Sequence, residues 1–117
     1  MTYATQQDMI DRFGELELVQ LTDRVNTPVS TVDAVVVGRA LSDASAKIDS
    51  YLTKVVRLPL APVPDVLVKT AADIARYYLH GKNADKDSPV TAAYNEAIAW
   101  LRDASRGLVE LSAGGET

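Results

Sequence analysis

STVDAVVVGRALSDASAKIDSYLTK, residues 30–54, places apolar side chains at Val32, Val35, Val36, Ala40, Ala44, Ile48, Tyr51 and Leu52, and Val55 extends the series. Steps of three and four mark one face of an α-helix; a strand would alternate. The opposite face carries Asp33, Arg39, Ser42, Asp43, Asp49, Ser50, Thr53 and Lys54, with Asp43 four residues ahead of Lys47 in the favourable order. Ser30 or Thr31 can cap the start by accepting a bond from an otherwise unpaired backbone N–H. Two features oppose the reading. Val35-Val36-Val37 favours strand, and Gly38 costs about 1 kcal/mol inside a helix. The stripe runs through both without a phase break, so the spacing predicts one helix over about 31–54, roughly 35 Å long.

Shorter helices are expected before it. Thr5-Gln6-Gln7-Asp8 approaches a capping box, Met9, Ile10 and Phe13 follow at helical spacing, and Gly14 is a natural stop. Glu15 to Leu21 supports another turn or two, and Asn26-Thr27-Pro28 marks a loop between Asp23 and Ser30. After the long helix, Leu58-Pro59-Leu60-Ala61-Pro62-Val63-Pro64 cannot be helical, because each proline lacks an N–H and restricts its predecessor. It reads as an extended, largely buried crossover, with Val55-Val56-Arg57 as a short-strand candidate. Pro64 suits the first position of the next helix, with Asp65 near its positive end. That helix runs to His80 with Leu67, Ala71, Ile74, Ala75, Tyr78 and Leu79 on its apolar face, and Gly81 ends it. Lys82 to Asp87 forms a charged exposed loop, in which Lys82, Asn83, Asp85 and Lys86 are candidate contact residues. Ser88-Pro89 opens the last helix, striped by Val90, Ala93, Tyr94, Ala97, Ile98 and Leu101 and closed by Gly107. The expected fold is an all-α bundle built around one long central helix. One helical domain spans 1–107, and a flexible C-terminal tail spans 108–117.

The chain's 117 residues fit one domain, and its 47% apolar content is ample for one core. Aromatic content is only 6%, so Leu, Val, Ile and Ala must fill that core. The net charge of −4 comes with scattered basic residues, which argues against gripping DNA phosphates or a polybasic membrane contact. Without cysteine there is no disulfide framework, thiolate zinc site or cysteine nucleophile. The N-terminal residues lack a basic region with an apolar signal core, and Leu58 to Val68 is too short and too proline-broken to span a bilayer. The expectation is a soluble, non-secreted chain.

The sequence carries no recognisable catalytic or metal-binding pattern. His80 is a lone histidine at a helix end, where a cation near the last carbonyls is mildly stabilising. No serine sits in a nucleophile elbow and no glycine-rich phosphate loop exists. Asn83 to Asp87 alternates oxygen side chains like a calcium loop, but Ser88 and Tyr94 occupy the positions that need Gly and Glu. Asp43 and Asp49 read as solvated surface charges. The chain is expected to be no enzyme and to need no cofactor or metal. Trp100 lies beside the last helix's stripe, either capping the core edge or anchoring an interface. Leu108, Val109 and Leu111 follow the last helix stop, either docking back onto their own core or inserting into a neighbouring subunit or partner.

Several short patterns run through the whole chain: Tyr3-Ala4-Thr5-Gln6-Gln7-Asp8, Phe13-Gly14, Leu21-Thr22-Asp23 and Ile48-Asp49-Ser50-Tyr51-Leu52. Leu58-Pro59-Leu60, Asp73-Ile74-Ala75-Arg76-Tyr77, Ala99-Trp100-Leu101 and Gly107 follow. Together they resemble the small Mu-like phage proteins encoded among head and tail morphogenesis genes. Where many members carry an Arg-aromatic pair before the proline step, this chain has Val55-Val56-Arg57. The resemblance implies a virion structural protein made in the bacterial host cytoplasm, most simply a head–tail connector or head-completion adaptor. Similar all-α connectors form a ring, commonly of twelve subunits, beneath the portal and pass DNA through the lumen. The implied partners are further copies of the chain, the portal protein, and a neighbouring connector, stopper or tail terminator. The tail would reach the portal or a neighbour through Arg106, Leu108, Val109 and Leu111 together with Trp100, and net negative charge would let DNA slide without sticking. The competing reading is a small acidic assembly factor that binds a phage structural protein and leaves before the particle matures. A helical DNA-binding protein is a third, and it lacks a basic recognition helix.

Overall fold

A computed structural model describes residues 2–23, 25–28, 30–55, 63–81 and 84–107. It is all-helical, with α1 over Gln6–Phe13, α2 over Glu15–Thr22, α3 over Ala34–Leu52, α4 over Asp65–His80 and α5 over Pro89–Ser105. The three long helices pack against one another, and the short α1 and α2 lie on α4, with α1 also touching α3. Ala40, Ala44, Ile48 and Leu52 from α3 meet Leu67, Ala71, Ile74 and Ala75 from α4 and Ala97, Leu101 and Ala104 from α5 in one core. The alanines at these crossings allow close helix approach, since interaxial distance follows side-chain size.

Eight-residue helices are marginal alone, so tertiary packing must hold α1 and α2. Met9 and Leu18 are fully buried, and each contributes about 1.5–3 kcal/mol on leaving water. The capping box at α1 is complete. Thr5 Oγ1 accepts from the Asp8 N–H at 3.1 Å, and the Asp8 carboxylate accepts from the Thr5 N–H at 2.8 Å. Gly14 ends α1 and starts α2 at φ +90°, a region costly for any residue with a Cβ. Ahead of α1, the Tyr3 N–H donates to Ser45 Oγ at 3.0 Å, and the Tyr3 hydroxyl donates to the Asp49 carboxylate. Asp49 is therefore a tether between the N-terminal segment and α3, and the solvated-charge reading is corrected.

The central helix is shorter than 31–54. Asp33 caps it, its carboxylate accepting from the N–H groups of Val35 and Val36. Ser30 and Thr31 do not cap it; their backbone N–H groups donate to Asp23. The buried face also runs differently at its start. Val37, Leu41 and Ser45 are buried with Ala40, Ala44 and Ile48, whereas Val35 is 68% exposed and Val55 lies in a turn, 41% exposed. A run of three valines is apolar at every phase, so only packing decides which one turns inward. Pro64 occupies the cap position of α4, leaving Asp65 as the first helical residue. Of the crossover, Val63 packs against the core and Pro64 is buried, while Val56 and Arg57 of the strand candidate lie outside the described residues. Ser88 caps α5 by accepting from the Thr91 N–H, with Pro89 in the first turn, as its sequence predicts. Among the described residues no helix is long and apolar enough to cross a membrane.

Candidate functional site

The described surface carries a recess between α4 and α5. Val66, Thr70, Ala97 and Trp100 give it an apolar floor, and Lys69, Asp73 and Glu96 stand around it; its volume is about 190 Å³. The spacing of the α4 residues, three and four apart, makes them one ridge. Lys69 Nζ lies 2.8 Å from Asp73 Oδ2, so the rim's cation is partnered within its own helix. The Thr70 hydroxyl donates to the Val66 carbonyl at 2.7 Å, so its hydrogen-bonding capacity is spent within its own helix. Trp100 is half-buried here, and Val66 is 38% exposed. The recess offers an apolar surface to a side chain and little hydrogen-bonding capacity.

A second cluster joins α2 to α4. Arg76 Nε and Nη2 donate to Glu17 Oε2 and Oε1 at 2.7 and 2.8 Å, a two-pronged pair that is only about a quarter exposed. The guanidinium also lies over the Phe13 ring at 4.4 Å. Its hydrogen bonds to Glu17 hold its pKa above the ordinary arginine value, against the opposing effect of burial. His80 Nε2 sits 3.8 Å from the same Glu17 oxygen, too far for a hydrogen bond, and is buried without a partner. The expected helix-end histidine thus also faces the carboxylate that Arg76 holds.

Asp23 organises the loop between α2 and α3. One oxygen accepts from the N–H groups of Val25 and Asn26; the other accepts from Ser30, Thr31 and the Asn26 side-chain amide. These donors hold the carboxylate far below its usual range, the Ser30 N–H most strongly, followed by the Asn26 side chain. Thr22 completes the junction, donating to the Leu18 carbonyl and accepting from the Asp33 N–H. Where α4 meets α5, Tyr77 stacks on Tyr94 with ring centroids 4.0 Å apart, and Tyr78 tilts against both. Burial, then the neighbouring Tyr94, pushes Tyr78 up to about 12.

Of the residues singled out from sequence, Trp100 lies in the recess and Arg106 is exposed as the C-cap of α5. Leu108, Val109 and Leu111 lie outside the described residues, as do Lys82 and Asn83. Asp85 and Lys86 are exposed; Asp85 accepts from the Asp87 N–H, and its carbonyl takes the hydroxyls of Ser88 and Thr91. Asp85 therefore serves the α5 cap. Among the described residues no group of three or more His, Asp or Glu side chains is arranged to hold a metal. The Glu17–Arg76 pair and the Asp23 hub were not anticipated. The signal for the pair is a charge set inside an apolar run, Leu16-Glu17-Leu18 and Ala75-Arg76-Tyr77.

Residues 3–117 match the protein family described as Bacteriophage Mu, Gp36. The chain belongs to the Bacteriophage Mu Gp36 family. Within reach of that family, gene product J of Escherichia phage Mu is 36% identical over 107 residues, covering 92% of this chain and 74% of the phage Mu protein. The Mu-like prophage FluMu protein gp36 of Haemophilus influenzae is 35% identical over 109 residues, covering 93% of this chain and 74% of that protein. This is a phage protein, as the patterns from Tyr3 to Gly107 led us to expect. The residues of the Glu17–Arg76 cluster and the α4/α5 recess all fall inside the matched span.

Proposed function

We propose that this protein is a head–tail connector, a virion component that forms a ring beneath the portal, completes the head and joins it to the tail while DNA passes through. The Gp36-family match across residues 3–117 carries the reading, because it ties nearly the whole chain to a phage family; the place at the head–tail joint is what the resemblance of its sequence patterns implies. The side-chain chemistry supports a scaffold. Glu17 with Arg76, Tyr3 with Asp49, and Asp23 with its loop amides each join one chain segment to another. We assign further copies of the chain, the portal, and an adjoining connector, stopper or tail terminator as partners. We assign Arg106, Trp100, Leu108, Val109 and Leu111 to one contact region and Lys82, Asn83, Asp85 and Lys86 to a second. The net charge of −4 favours a lumen that does not retain DNA.

The test is electron microscopy of lysates from a phage lacking this gene. DNA-filled or DNA-leaking heads beside separate, finished tails are expected. Normally joined particles would overturn the connector reading.

A further inference from the structure

The recess between α4 and α5 has an apolar floor with no occupant among the described residues, and the chain continues from its edge. At 3.6 residues per turn, Trp100 and position 107 fall about 20° apart around α5, and Glu96 lies within about 40° of both. Arg106 keeps φ −94° and ψ 2°, so Gly107 stays near the helical path on the side of the recess. Gly107 then takes φ +75°, the left-handed conformation that ends helices and turns the chain off the axis. Beyond it lie ten residues, 108–117, beginning Leu108-Val109-Glu110-Leu111. Trp100 is seven residues back, roughly 10 Å along the helix, and four extended residues span roughly 13 Å.

We propose that in the isolated protein Leu108-Val109-Glu110-Leu111 doubles back along α5 and seats its apolar side chains in the same chain's recess, over Val66, Ala97 and Trp100. The apolar floor matches the apolar side chains of the segment. A segment tethered at Gly107 reaches the recess at an effective concentration that a second copy attains only in the millimolar range. The free subunit therefore covers its own apolar surface, and any partner that takes the tail must first draw it off the recess. This inference concerns the isolated chain and stands apart from the connector reading.

Trp100 is the only tryptophan, so its emission reports the recess directly. In the full-length chain bearing Leu108→Ser, Val109→Ser and Leu111→Ser, we expect the emission to shift to the red and quenching by acrylamide to rise, equally at low and high protein concentration. Unchanged emission would overturn the proposal. So would a difference between the two chains that appears only at high concentration, because the occupant would then be a second copy. The absence of native cysteine permits a second measurement that leaves the apolar residues intact. A spin label on Glu110→Cys should cause loss of the amide signals of Val66 and Lys69 and of the Trp100 indole signal in its own chain. Intact signals, or loss seen only when labelled chain is mixed with unlabelled isotope-enriched chain, would refute docking within one chain.

Discussion

Replacing Arg76 by alanine removes the clamp between α2 and α4. Two charge-assisted hydrogen bonds at 2.7 and 2.8 Å are lost, along with the contact to Phe13 at 4.4 Å. A fully exposed pair is worth about 0–1 kcal/mol, and breaking a fully buried one costs about 3–5 kcal/mol. With side chains 23% and 26% exposed, this pair falls between those limits, and the cation–π contact adds about 0.5–1 kcal/mol. The expected loss is about 2–3 kcal/mol, which for a domain of this size lowers Tm by about 10 °C. Urea denaturation should show a lower midpoint at constant slope. Arg76→Lys keeps the charge without the fork and should recover less than half of the loss. The decisive quantity is the coupling in a double-mutant cycle of Arg76→Ala with Glu17→Gln, expected at about 1–2 kcal/mol. Additivity within about 0.3 kcal/mol would show that the two side chains act independently, and the clamp argument would fail.

Asp23→Asn should lower Tm at neutral pH, because an amide replaces an oxygen that accepts backbone N–H groups. The folded state depresses the Asp23 pKa, so its stabilisation is present above the ordinary value of 3.8 and is lost as pH falls below it. The Tm gap between the two chains should therefore hold steady down to about pH 5 and narrow below that, as thermal melts across pH would read. Asp33→Ala should cost about 1 kcal/mol in urea titrations through loss of the α3 cap, and Asp33→Ser should restore most of it. Gly38→Ala should stabilise by about 0.5–1 kcal/mol, since Gly38 is inside a helix and an added Cβ meets no atom within 4 Å. A destabilised Gly38→Ala chain would mean that the glycine serves close packing.

The helices with local punctuation were legible in the sequence. Thr5 and Asp8 fix one end of α1 and Gly14 the other; Gly81 ends α4; Ser88-Pro89 opens α5. In each case the signal comes from backbone geometry or a cap within four residues. The start of α3 was misread because two non-local interactions compete there. Ser30 and Thr31 have the right chemistry to cap, but Asp23, seven and eight residues away, takes their N–H groups, and Thr22 takes that of Asp33. The stripe of α3 was legible at Ala40, Ala44, Ile48 and Leu52, but it left out the buried Leu41 and Ser45, and it was ambiguous at Val35-Val36-Val37, where no polar residue intervenes. The recess was half legible. Trp100 stood out on α5, but its partners Val66 and Thr70 belong to another helix, and no local pattern says which faces of α4 and α5 meet. The Glu17–Arg76 pair spans 59 residues, and no local pattern connects them.

Protein composition of purified particles tests the connector account most directly. Quantitative mass spectrometry of mature virions should find this chain at about a dozen copies per portal vertex, the stoichiometry of one closed ring. Mature, infectious particles that contain none of it would contradict the account and identify the chain as a factor that acts during assembly and leaves.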